Sequence, residues 1–302
     1  MQYTDLRSIS RLRLVNMRMR FIVDDCIAYK LLVRHIPDTI ASLRLSDAWQ
    51  HYIVADLYNT LCNPTCTFCK DFGTYLWIPG GVRCCFNCIS YVNESRHVIP
   101  LIESDARKLY GVPKKALADV PSMLTLPGRY GMFEAYHGRR FRVYNEDRVV
   151  QAAVAHHGSN EAYEAWLAGD GRKAREEFNH PTRRGVDKSK LCRGVRFMAA
   201  TPLPYYDPAT RRLHHGLVCR GCQITVIRSL HLVTSPSIAM DFNRRHARMW
   251  TEDKLFEHLS ECKGAQYIWE FMHKPYPRSI GNPVEARDEV SRFLMELVCH
   301  VY

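Results

Sequence analysis

CNPTCTFCKDFGTYLWIPGGVRCCFNC, residues 62–88, decides how this chain is organised. Cys66-Thr-Phe-Cys69 is followed, after fifteen residues, by Cys85-Phe-Asn-Cys88. A C-x2-C pair folds into a tight knuckle that brings two thiolates to one ion, and two knuckles complete a tetrahedron. Within the spacer, Tyr75 to Pro79 read as a short strand and Gly80-Gly81 as a hairpin turn. A hairpin of that length returns the chain to close a four-sulfur set. The spacing is that of structural zinc sites, and zinc suits four thiolates without redox chemistry better than iron does. Chance clustering of buried cysteines is the competing explanation, and two such pairs in 23 residues argue against it. Two neighbours compete for ligand roles: Cys84 adjoins Cys85, and Cys62 precedes Cys66 by four residues.

A second set lies further along. Cys219-Arg-Gly-Cys222 is another knuckle, and after 35 residues His258-Leu-Ser-Glu-Cys262 places two ligands at i and i+4, on one helix face. Together they supply three cysteines and one histidine. The gap is long for a zinc finger, but loop-closure entropy grows only with the logarithm of length. The competing reading is a core histidine beside a buried cysteine. Two structural zinc ions are therefore expected, with four protein ligands each and no position left open for a water. The H-E-x-x-H signature of zinc proteases, the G-x-S-x-G elbow, a Walker loop and a dinucleotide fingerprint are all missing from the sequence. The expectation is a protein that is not an enzyme.

The surroundings are ordinary for a globular chain. With 302 residues, a length prior of about 150 residues per domain gives about two domains. Apolar residues make up 46% and charged residues 24%, which excludes collagen and wholesale disorder. The 42 basic against 31 acidic residues give a net charge of +11, which suits an acidic partner. The surplus is dispersed, and no finger helix has base-reading spacing, so nucleic acid is the second choice of partner. No stretch reaches the ~18 apolar residues of a membrane span, and MQYTDLRSISRLRLVNMRMR lacks a signal-peptide core. The protein is expected in the cytoplasm or nucleus, where thiols stay reduced.

Residues 5–35 read as helical, with Leu12, Val15, Met19 and Ile22 on one face, Asp5 as a cap and Arg7, Arg11, Arg18 and Arg20 opposite. Asp38 begins a further helix, and Ile53, Leu57 and Leu61 mark another. Beyond the first cysteine set, helices are expected over Glu103 to Tyr110, ended by Gly111, and from Pro113 through Leu117. A strand is expected near Arg140 to Tyr144, then helix from 147 to 168 with a break at Gly158-Ser159. GDGRKAREEFNHPTRRGVDKSK, residues 169–190, reads as an exposed linker, and 195–206 as strand. Helices starting near Thr251 and near Asn282-Pro283 complete the chain. The expected fold is α+β, mainly helical and irregular, with short strands around two structural zinc sites. The expected division is a helical segment at 1–61, the first cluster and a helical body at 62–168, the linker at 169–190, a zinc-finger-like module at 191–275 and a C-terminal helix at 276–302.

At this point several blocks carry a resemblance. DLRSISRLRLVNMRMRFIVDDCIAYKLLVRHIPDTIASL (residues 5–43) resembles the latter part of the F-box and the following helices of fungal F-box proteins. DLYNTLCNPTCTFCKDFGTYLWIPGGVRCCFNCI, PLIESDARKLYGVPKKAL, LTLPGRYG, RFMAATPLPYYDPATRRLHHGLVCRGC and FEHLSECKGAQYIW follow in the order of that family. The resemblance implies a substrate receptor of a Skp–cullin–F-box ubiquitin ligase, part of a ubiquitin-conjugation pathway. It places the positions that grip a Skp-type adaptor among Leu6, Leu12, Val15, Met19 and Ile22. The Leu-Pro opening of an F-box is not among these residues, so the expectation is a truncated F-box with weak or lost adaptor binding, recovered when that helix is restored. The target protein is not specified by the sequence.

Overall fold

A computed structural model of the protein describes residues 1–90, 98, 100–130, 135–179, 195–229 and 245–273. The fold is an irregular α+β arrangement, mainly helical, with antiparallel strands of two or three residues in small sheets. The chain forms two units, residues 1–216 and 217–302.

The first unit opens with α1 (Leu6–Leu12), α2 (Met17–Asp24), α3 (Ile27–His35), α4 (Pro37–Leu45) and α5 (Val54–Leu61). The Asp5 carboxylate accepts from the Ser8 N–H at 2.8 Å, so the expected cap is in place. Asn16 caps α2 in the same way, through Met19 N–H. That second cap interrupts the periodicity. A side-chain acceptor satisfies the orphan donors of a new first turn, so the helix restarts in a different phase. The stripe Leu12, Val15, Met19 and Ile22 therefore does not share one face. Leu6, Ile9 and Val23 enter the core, Leu12 and Met19 are half-buried, and Val15 and Ile22 lie in solvent. Of the five anticipated adaptor-gripping residues, Leu6 is a core residue.

The hairpin follows: β1 (Tyr75–Trp77) pairs with β2 (Val82–Cys84), and α6 (Phe86–Ser90) begins at once. Leu76 and Trp77 join Leu32, Leu43, Leu57 and Leu61 in one core, which also contains Cys66, Cys84, Cys85 and Cys88. Helices and cysteine knuckles thus share one apolar interior.

Next come β3 (Leu101–Ile102), α7 (Glu103–Tyr110), β4 (Ser122–Leu124), β5 (Gly128–Tyr130), β6 (Ala135–His137), β7 (Arg142–Tyr144), α8 (Glu146–His157), α9 (Asn160–Ala168) and α10 (Asp170–Asn179). Residues of β3, α7, β7, α8 and α9, with Val112 and Leu117, form a second core in this unit, while Met123 of β4 and Val143 of β7 belong to the first. Gly111 ends α7 at φ 65°, as its position anticipates. Ser159 caps α9 after the break at Gly158. Two expectations fail here. Residues 113–118 form consecutive tight turns with bonds to the third or fourth residue back, not a helix. Residues 170–179, expected as linker, are α10, which packs on α7 and α9 and gains from those partners what its polar sequence does not supply alone. Residues 180–190 lie outside the described residues, as does the C-terminal helix expected near 282.

The chain then returns to the hairpin. β8 (Ala200–Pro202) pairs antiparallel with β1 on the side away from β2, and β9 (Tyr205–Asp207) pairs with β10 (Arg212–His214). Residues 195–214 are thus continuous with the first metal cluster and not, as their position in the sequence suggests, with the second.

The second unit holds β11 (Leu217–Val218) paired with β12 (Met249–Trp250), and α11 (Arg220–Ser229), α12 (Glu252–Glu261) and α13 (Lys263–His273). Helix α13 is separate from α12 and lies where no helix is expected from the sequence. It meets α11 through glycines: a Cβ on Gly264 would lie 2.1 Å from Gly221 O. Backbone on both sides leaves nothing to give way. Gly264→Ala is expected to separate the two helices and to destabilise this unit by about 2 kcal/mol or more, at the upper end of overpacking costs. Chemical denaturation followed at the second unit's tryptophans checks it.

Candidate metal centres

Cys66 follows α5 in a loop held by backbone bonds from Cys66 N–H to Asp71 O and from Lys70 N–H to Cys66 O. Lys70 adopts φ 67°, the left-handed turn that closes the first knuckle. Cys85 and Cys88 come from the end of β2 and the first turn of α6, where the Cys88 N–H donates to Cys85 Sγ at 3.4 Å. The four sulfurs converge: every pair of ligand atoms lies within 4.8 Å. Cys66 and Cys88 are 3.8 Å apart, and Cys69 and Cys85 are 3.5 Å apart. A tetrahedron of thiolates about 2.3 Å from a central ion has edges of about 3.8 Å, so the set has the size of a metal site. A disulfide needs about 2.05 Å, and these cysteines are free.

The group contains Cys85 and not Cys84, and Cys66 and not Cys62. Strand alternation makes the choice at 84–85: Cys84, the last residue of β2, is buried in the core, where burial pushes its thiol far up. Cys62 caps the end of α5; burial raises its thiol, which hydrogen-bonds to Tyr58. Inside the group, S–H donors from Cys69, Cys85 and Cys88 drive Cys66 toward thiolate. Cys85 and Cys88 are pushed up, chiefly as donors to Cys66. Four sulfurs this close resist a second and third negative charge, and a bound cation reverses that preference.

Arg83 lies immediately behind this site and was not singled out by the sequence. It is 2% exposed and has no carboxylate partner among the described residues. Its guanidinium donates to the carbonyls of Thr60, Leu61, Gly73, Leu203 and Pro204. Two of those are the orphan carbonyls at the end of α5, where a cation also complements the helix dipole. Burial lowers the guanidinium to about 10, which still leaves it charged at neutral pH. One residue thereby joins the helix before the first knuckle, the loop after it and the segment following β8.

In the second unit, Cys219 follows β11 and Cys222 sits in the first turn of α11. His258 projects from α12, and Cys262 caps it. All four ligand atoms lie within 4.8 Å of one another. Cys219 and Cys262 are 3.6 Å apart, Cys222 and Cys262 3.8 Å, and Cys222 Sγ is 3.2 Å from His258 Nε2. The hydrogen bond from Cys222 pulls Cys219 down to about 4, so one thiolate is ready at neutral pH. The eight anticipated ligands thus fall into two quartets, as their spacing required.

Trp250 orients the histidine. Its ring stacks on His258 at 4.5 Å with an interplanar angle of 14°, and Arg248 covers the ring at 4.1 Å. A group that fixes a ligand imidazole is worth about 10- to 100-fold in metal affinity. Trp250→Ala is expected to weaken the second site about tenfold and Trp250→Phe to preserve it, as measured by competition with a chromophoric chelator.

The chain matches no protein-family model, and neither a curated protein nor a solved structure matches it.

Proposed function

We propose that this protein is a protein-binding adaptor stapled by two structural zinc ions, and that it works as a substrate receptor of a Skp–cullin–F-box ubiquitin ligase. Zinc is favoured by the donor sets, four cysteines in one and three cysteines with a histidine in the other, at tetrahedral spacing. Cys66, Cys69, Cys85 and Cys88 would hold one ion, and Cys219, Cys222, His258 and Cys262 the other. Zinc there would supply folding energy. Four protein ligands leave no position for an activated water, which supports a binding role over a hydrolytic one.

The observation that carries the adaptor reading is the apolar surface of the first helices. Leu14, Val15, Met17, Phe21, Ile22 and Ile27 are all exposed, with Leu14 at 81% and Phe21 at 66%. Arg11, Arg18 and Arg20 are exposed among them. Several large apolar side chains in water over so short a stretch fit a surface that a partner covers. The resemblance of residues 5–43 to the later F-box points to a Skp-type adaptor.

The test is an adaptor pulldown with the 302-residue chain and with a form carrying a Leu-Pro F-box helix upstream. The extended form is expected to retain the adaptor more tightly, and Val15→Asp or Phe21→Asp to abolish retention with zinc content unchanged. No retention by either form, or retention indifferent to both substitutions, overturns the reading. The net charge of +11 supports nucleic-acid binding as the alternative. Phosphate binding would collapse steeply with added salt, and apolar adaptor binding would not.

A further inference from the structure

We propose that a second surface of the first unit, formed by the end of α4 and the segment 139–142, binds an acidic segment of a target protein. It rests on the protein-binding reading above and names the chemistry of the target.

The two pieces are joined by well-defined bonds. Leu124 N–H donates to Ser46 O at 2.8 Å, and Thr125 N–H to Phe141 O at 2.9 Å. Phe141 N–H returns a bond to Thr125 Oγ1. Arg140 reaches across, donating to Thr125 O and to Leu45 O. On this framework stand Arg44, Arg139, Arg140 and Arg142, all exposed. Arg44 lies over the Trp49 ring at 5.2 Å, and Arg139 over Phe141 at 5.1 Å. Arg142 donates to Ser122 Oγ. None of these four guanidiniums has an ion pair among the described residues. The sequence between 39 and 55 holds one carboxylate, Asp47, and that between 120 and 144 one, Glu134, which lies outside the described residues.

Guanidiniums that share one surface and have no ion pair among the described residues repel one another, and an incoming anion relieves that repulsion. The stacking selects which anion. Seated on aromatic faces, Arg44 and Arg139 lose little freedom on binding, and their N–H edges remain open for paired bonds to a carboxylate or phosphate. The same stacking covers Trp49 and Phe141. Single-stranded nucleic acid needs open aromatic faces for its bases, and here the protein's own arginines occupy them. An acidic protein segment, through Asp and Glu or through a phosphoserine, uses what is left free.

The test uses the zinc-loaded full chain and fluorescence anisotropy. The probes are a labelled Asp/Glu-rich peptide, the same peptide with a central phosphoserine, its Asn/Gln counterpart and an oligouridylate of equal length. Both acidic peptides are expected to bind and the neutral one not, and the ratio of the first two separates carboxylate from phosphate recognition. Arg44→Glu with Arg139→Glu is expected to weaken binding about tenfold, equivalent to about 1.4 kcal/mol. Zinc content and adaptor retention should stay unchanged, because that surface lies on α1 to α3. Equal binding of the neutral peptide, or wild-type affinity in the double variant, overturns the proposal. Tighter binding of oligouridylate, lost in the same variant, also overturns it and assigns the surface to nucleic acid. If the adaptor fails to bind while the acidic peptide binds, the ubiquitin-ligase reading falls and this one stands.

Discussion

Cys88→Ser is expected to lower the metal content from about two zinc ions per chain to about one, and to unfold the region around the first site. A serine hydroxyl is a poor zinc ligand, and three remaining sulfurs do not close a tetrahedron. Zinc in structural sites contributes of order 10 kcal/mol to folding, comparable with the whole stability of a typical domain. Cys66, Cys85 and Cys88 belong to the same core as Leu57, Leu61 and Trp77, so the loss spreads into the helices packed on them. The melting temperature should fall by about 10 °C or more, on a scale of about 2–4 °C per kcal/mol for a unit of this size. Cys84→Ser is the informative control: its sulfur is buried beside the quartet but outside it. That variant should lose some stability and keep both ions. Elemental analysis with thermal denaturation reads both outcomes; full zinc content in Cys88→Ser would show that the ligand set is wrong.

Arg83→Met is the second large effect. The substitution removes the guanidinium's hydrogen bonds to five carbonyls, of which Thr60 O keeps a backbone donor in Asn63 N–H. A buried acceptor without a partner costs about 1–3 kcal/mol, although releasing a charge from the interior offsets part of the sum. A net loss of about 3 kcal/mol is expected, the cost of one to two unsatisfied buried acceptors after that offset. Arg83→Lys should recover only a fraction, because an ammonium cannot match the planar fork that reaches carbonyls on several sides. Gly73 points the same way, since a Cβ there would lie 2.6 Å from Arg83 Cγ. The loop is shaped around this side chain. Equilibrium unfolding in urea distinguishes the three proteins, and metal analysis shows whether the first site survives while its support is lost.

The two predictions concern different kinds of information. Cys88 was legible because a thiolate set for one ion has a fixed size, and short spacings within each knuckle encode it. The same local logic made the Asp5, Gly111 and Ser159 boundaries legible, since caps and left-handed turns are decided by a few adjacent residues. Arg83 was not legible. It stands between Val82 and Cys84 as any exposed strand residue could, and its acceptors come from residues 60, 61, 73, 203 and 204.

Eight converging side chains, the helix boundaries at Asp5, Gly111 and Gly158-Ser159, and the irregular α+β class were thus legible from the residues alone. Each follows from interactions within a turn or two of chain, or from the coordination geometry of one ion. Long-range contacts settled the rest. They chose Cys85 over Cys84 and Cys66 over Cys62, because the direction in which each side chain leaves the backbone sets which sulfur faces the quartet. The fold broke the apolar stripe at Asn16, so that Leu6 entered the core while Val15 and Ile22 stayed in solvent. It made a helix of 170–179, which has packing partners on α7 and α9, and it placed β8 beside β1 across more than a hundred residues. These outcomes depend on which distant surfaces meet, and no local pattern carries that information.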